Sequence, residues 1–318
     1  MPDNLLSPPI LFFFLGMLAV AFRSDLEIPQ PLPRLFSLYL LMAIGFKGGV
    51  ELSHSAWDFE VFATLGASLV MAFATPVWVF FLLRRKLGVY DAAALAATYG
   101  SISAVTFITA GAYLDSQSVP YGGHMVASMA LMESPAIIMG VLLVRMHAKQ
   151  QEGSVEWGML IREAFTNASV FLILGSMCIG LLTGEVGKSR VEPFLYDIFT
   201  GMLAFFLLDM GLVAAKRVRA LRSAGLGVVV LGVVLPLVHA LLAVLLSVAF
   251  NFTYGDAFLF VVLCASASYI AVPAAVRIAI PEANPGLYVP MSLAVTFPFN
   301  ILVGLPLYDA MLRYALHL

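Results

Sequence analysis

Apolar residues run along this chain in blocks of about twenty, separated by short polar connections. Blocks of that length match what an α-helix needs to cross the hydrocarbon core of a bilayer. Inside lipid only helices or closed barrels satisfy every backbone group, and the short alternating segments of barrel strands are absent. The pattern predicts ten membrane-spanning helices, at 8–22, 35–53, 61–83, 91–114, 123–146, 164–184, 194–215, 225–250, 255–280 and 286–312. The first is short, which a tilt or its flanking residues can accommodate. The expected fold class is therefore an all-α polytopic membrane protein.

Composition agrees: 61% of the residues are hydrophobic and 11% are charged, against roughly 25% charged in soluble domains. A net charge of -2 offers nothing to nucleic acid. Cys178 and Cys264 fall in apolar blocks and define no redox compartment. No basic residue precedes the first block, which argues against a cleaved signal peptide. Lys and Arg set the orientation. The connections 1–2, 3–4, 5–6, 7–8 and 9–10 carry thirteen of the seventeen, and the opposite face carries Lys188, Arg190 and Arg313. The positive-inside rule makes the first set cytoplasmic and puts both termini outside.

The polar connection at 147–163 divides the chain into 1–146 and 164–318. The halves correspond. Gly123 and Pro135 match Gly286 and Pro298, Pro76 matches Pro236, and Lys47-Gly48-Gly49 matches Asp209-Met210-Gly211, at offsets of 160 to 163. Five spans per half is an odd number, so the second half enters the membrane upside down, as in many secondary transporters.

The clearest repeat is Gly100-Ser101-Ile102-Ser103-Ala104 in span four against Ala265-Ser266-Ala267-Ser268 in span nine, at an offset of 165. Both serine pairs reach the middle of the bilayer, from opposite faces. Broken helices crossing there would bring together N-terminal ends suited to an anion and C-terminal carbonyls suited to a cation. These nine residues are the expected anion site. Polar residues at this depth are functional candidates, so Ser101, Thr106, Glu133, Ser268 and Asn300 are the expected sodium ligands. Lys47 and Asp209 lie nearer opposite faces and are expected to be structural, with local partners. The basic tract from Lys216 to Arg222 reads as a topology signal that also meets lipid head groups. No nucleophile–base set, metal-ligand spacing or phosphate loop occurs, so an enzyme is not expected, and neither is a bound cofactor.

The serine motifs Gly100–Phe107 and Ala265–Ala275, together with Gly45-Phe46-Lys47-Gly48-Gly49-Val50-Glu51-Leu52, resemble those of the sodium-dependent bicarbonate permease family (SbtA-like) over nearly the whole chain. The resemblance implies an inverted five-plus-five repeat and bicarbonate held at the crossing by serine hydroxyls and backbone amides, with sodium nearby. It also implies homotrimers in the bacterial inner membrane and, for cyanobacterial members, inhibition by a cytoplasmic PII-like protein. The central connection here is shorter than in those members. That leaves open the PII-like partner and the cargo, with another small organic anion, or sodium/proton exchange through Glu133, as the alternatives.

Overall fold

The apolar blocks fold as helices, and the described residues contain no strand. The structure is a computed structural model that describes residues 7–29, 31–54, 58–148, 168–224 and 226–317. The connection expected at 147–163 lies outside the described residues from 149 on, as does the start of span six. The helices are α1 (Pro8–Ala21), α2 (Leu32–His54), α3 (Phe59–Leu87), α4 (Val89–Gly100), α5 (Ala104–Ser116), α6 (His124–Glu133) and α7 (Pro135–His147). The second half holds α8 (Ala168–Glu192), α9 (Phe199–Ala224), α10 (Leu226–Ala249), α11 (Tyr254–Ala265), α12 (Ala271–Ala279) and a long composite helix, α13 (Pro285–Ala315).

Local chemistry sets the ends. Asp58 caps α3 by accepting from the Val61 N–H at 3.2 Å, and Gly88 ends it at φ 82°, which favours glycine. Span five is interrupted where Ser134 and Pro135 separate α6 from α7, a break not expected from hydropathy; proline is suited to the first position of a helix. α13 contains two π-helical turns, Met291–Thr296 and Asn300–Gly304.

Among the described residues, seven helical stretches are long and apolar enough to cross a membrane, and Pro8–Ala21 and Tyr254–Ala265 are shorter apolar helices. One of the seven, Ala168–Lys216, has 49 residues. Straight, it would run about 73 Å at 1.5 Å per residue, over twice the hydrocarbon thickness. It is interrupted at Gly184 (φ 51°, ψ −144°) and by a π-turn at Pro193–Asp197. Large apolar side chains such as Leu15, Phe62, Val70, Leu182 and Leu245 are exposed along the outer helices. That is the expected condition of a multi-pass protein whose outer solvent is lipid.

Helix pairs approach to backbone contact at glycines. α2 crosses α8 where a methyl on Gly49 would overlap the Met177 carbonyl oxygen and one on Gly180 would overlap that of Phe46. α9 crosses α1 in the same way, with Gly211 against the Phe13 carbonyl and Gly16 against that of Leu208. Helix ends follow a similar pairing. Asp91 Oδ1 accepts from the Asn284 N–H at 2.7 Å, and Asp256 Oδ1 accepts from the Gly122 N–H at 2.6 Å. Asp256 also meets His124 Nε2 at 3.3 Å, with both side chains buried.

The buried apolar residues form two clusters. One takes in α5 and α11; the other takes in α4, α7 and Val272 and Val276 of α12. Spans four and nine thus each pass from one cluster to the other, and each loses helical geometry at the boundary.

Candidate functional site

At that boundary the chain leaves the helix twice. α4 ends at Gly100, where a side chain would collide with the Pro76 ring, and Ser101 is extended (φ −94°, ψ −179°). α5 restarts after Ser103, whose Oγ accepts from the Thr106 N–H at 3.2 Å and the Thr106 hydroxyl at 2.9 Å. α11 ends at Ala265, Ser266 is extended (φ −88°, ψ 173°), and α12 begins at Ala271. The breaks expected in spans four and nine are therefore present at the serine motifs.

The two breaks are bonded to each other. The Ser268 N–H donates to the Thr98 carbonyl at 2.9 Å, and the Ser103 N–H donates to Ser266 Oγ at 2.8 Å. The four serines then divide into two kinds. Ser101 donates its hydroxyl to the Glu133 carbonyl at 3.2 Å, and Ser266 donates to the Leu263 carbonyl at 2.8 Å. Both protons are committed to backbone. Ser103 and Ser268 act as acceptors, Ser268 from the Val272 N–H at 3.2 Å, so their own protons remain to be directed elsewhere. All four side chains are buried.

Ser103 and Ser268 line a small cavity of about 40 Å³ together with Ile102, Ala104, Glu133 and Tyr269, room for only a few water-sized groups. Two helix N-termini, those of α5 and α12, open onto it. First-turn N–H groups have no partner within their own helix, and the dipole adds positive potential there. Glu133 is 5% exposed, and its Oε2 has no hydrogen-bond partner. A carboxylate so placed suits a cation or a proton, while the amide ends and free hydroxyls suit a small anion.

Other expected residues sit close by in different settings. Ala267 is buried in the α4 cluster. Asn300 donates to the Ala265 carbonyl at 2.9 Å and accepts from the Tyr308 hydroxyl at 2.7 Å, so its amide braces the end of α11. Ser37, Leu41 and Ser169 also line the small cavity and were not anticipated. Each is a single residue in an apolar helix, and no spacing distinguishes it. Tyr269 lay inside the motif but was not assigned to the site. Its buried hydroxyl has no hydrogen-bond partner and stands beside Ser103.

Two larger cavities flank the crossing. One, of about 460 Å³, is lined by Ser7, Lys47, Thr109, Asp115, Tyr196 and Thr200 among others. Lys47 finds its local partners there: its ammonium lies 4.7 Å from the Tyr196 ring centroid and 4.1 Å from that of Phe199. Tyr121, in the connection after α5, has its hydroxyl pKa raised by burial first and by the Asp115 and Glu51 carboxylates next, so it stays protonated. The other cavity, of about 360 Å³, is lined by Arg34, Ser37, Leu38, Ser169, Met210 and Ala271 among others. Among the described side chains, Asp209 is buried, whereas Arg217, Arg219 and Arg222 of the basic tract lie outside them.

Broken helices paired inside an apolar bundle are a feature of membrane transport proteins. The chain belongs to the Na+-dependent bicarbonate transporter superfamily, whose sequence profile matches residues 8–313. No curated protein matches the chain.

Proposed function

We propose that this protein takes up bicarbonate by sodium-coupled symport, with alternating access through two inverted five-helix repeats. The observation that carries the reading is the convergence of two helix N-termini, the free hydroxyls of Ser103 and Ser268, and the Glu133 carboxylate with its unpartnered Oε2 on one cavity. The anion sits against the amide ends and the two hydroxyls. Sodium sits at Glu133, where its charge also offsets that of the anion. Thr106 and Asn300 act through others: Thr106 by holding Ser103, Asn300 by bracing α11.

Counting the 49-residue run as two crossings and adding the two short apolar helices gives ten spans. The repeat is supported by contacts that recur at the sequence offset. The Gly49–Gly180 crossing maps onto Gly211–Gly16 at 162 and 164, and Asp91–Asn284 maps onto Asp256–Gly122 at 165 and 162. The two larger cavities correspond as well. Arg34, Ser37 and Leu38 of one correspond to Tyr196, Phe199 and Thr200 of the other at 162, the offset that Gly49 and Gly211 set for these stretches. Such equivalence is what an inverted repeat needs in order to exchange one open side for the other. The cavity with Arg34 is the cytoplasmic one by the distribution of Lys and Arg, which keeps both termini outside.

Labelled bicarbonate uptake into proteoliposomes tests this. Uptake should require an inward sodium gradient, and Glu133→Gln should remove the sodium dependence. Uptake indifferent to sodium in the wild type refutes the coupling. The buried Glu133 carboxylate, whose Oε2 has no partner, also favours a second reading, sodium/proton exchange. In that case Glu133→Gln abolishes a sodium-driven proton flux that needs no bicarbonate.

A further inference from the structure

Of the two large cavities, only one joins the serine cleft. Ser37, Ser169, Ile270 and Ala271 line both the 360 Å³ cavity and the small one, whereas among the described residues the 460 Å³ cavity shares no lining residue with the small one. One face of α2 forms the connecting wall. Arg34, Ser37 and Leu41 follow at i, i+3 and i+7, so they stack on one side of the helix, and they run from the outer part of this cavity to the cleft.

Charge is sorted along that wall. Arg34 is the one charged side chain among the described residues lining the 360 Å³ cavity, and no carboxylate lines it. Among the described residues Arg34 has no salt-bridge partner. Glu133 stands at the inner end, in the cleft. An anion moving from the cleft toward Arg34 leaves a carboxylate and approaches a guanidinium, whose fork of N–H donors suits a planar oxoanion. A cation feels the opposite slope and stays with Glu133.

We infer that the cavity at Arg34 is a second anion site, separate from the Ser103–Ser268 cleft, which receives a small oxoanion on the Arg34 side of the crossing. Arg34 supplies the charge, and the Ser37 hydroxyl lies one helical turn further along the route. The inference rests on the transport reading above and gives it a path. It is tested by occupancy rather than by flux.

With Cys178 and Cys264 replaced by serine, Leu38→Cys places one thiol in this cavity. A membrane-impermeant thiol reagent applied from the Arg34 face should label it, and bicarbonate should slow the labelling where chloride at equal ionic strength does not. Adding Arg34→Gln should raise the bicarbonate concentration for half-protection about fivefold or more, and Arg34→Lys should raise it less. Protection should persist in Ser268→Ala, because this site is not the cleft. Failure of bicarbonate to protect, or protection unchanged by Arg34→Gln, or protection lost with Ser268→Ala, overturns the second site. A wild type that transports no bicarbonate while Leu38→Cys is still protected overturns the transport reading and leaves the anion site standing.

Discussion

At the scale of single residues, the four buried serines are not equivalent, although the sequence presents them as two identical pairs. Which one faces the cavity depends on where each hydroxyl proton goes. Ser103→Ala and Ser268→Ala remove hydroxyls that face the cavity, so bicarbonate uptake should fall about tenfold or more at a given concentration. Stability should fall only by the value of a helix cap, about 1 kcal/mol. Ser101→Ala and Ser266→Ala remove donors to backbone carbonyls and, at Ser266, the acceptor for the Ser103 N–H. A buried group left unsatisfied costs about 1–3 kcal/mol, so these two should lower the unfolding midpoint in detergent more than the first two. Equal midpoints across all four would contradict the division. The serine motifs were legible because two hydroxyls among small residues in an apolar helix are unusual. Ser37 and Ser169 were not legible, because one serine in such a helix is ordinary and only the placement of α2 and α8 beside the breaks brings them to the cleft.

At the scale of elements, the glycine crossings fix the helix pairs α2–α8 and α1–α9. Gly49→Ala or Gly211→Ala would drive a methyl into a facing backbone oxygen, which cannot swing aside as a side chain can. Overpacking of this kind costs about 1–3 kcal/mol. Gly66, in α3, has open space where a methyl would stand, with nothing within 4 Å. Gly66→Ala should therefore be neutral or stabilising by up to about 1 kcal/mol, the difference in helix propensity. Thermal unfolding of the three variants side by side checks the contrast. Hydropathy located the helices well because burial in lipid or protein demands apolar residues at nearly every position. It did not reveal the interruption at Ser134–Pro135 or the π-turns of α13, since a proline within a helix is tolerated wherever neighbours re-satisfy the backbone. Pro76 and Pro236 lie inside continuous helices. Lys47 could be read as needing local partners, but the rings of Tyr196 and Phe199 that supply them stand about 150 residues away in the chain.

At the scale of the whole molecule, the proposed equivalence of the two larger cavities predicts reciprocal exposure. A cysteine at Ser37 should react with an impermeant reagent from one face and a cysteine at Thr109 from the other. Sodium and bicarbonate together should move the two rates in opposite directions, and rates that rise or fall together would argue against exchange between the sides. The offsets on which the proposed inverted repeat rests were legible between glycines, prolines and serines, because those residues sit where backbones touch or break. The relation of the cavities was not, since a cavity is a property of the gaps between helices. One earlier feature bears on what kind of traffic such a molecule permits. The Thr98–Ser268 and Ser103–Ser266 bonds stitch the two crossing spans together at the middle of the bundle. While both hold, the two breaks stay joined and cannot part at these bonds. Under the proposed symport, passage then proceeds one load at a time, as a ferry carries passengers, and not as current through an open pore.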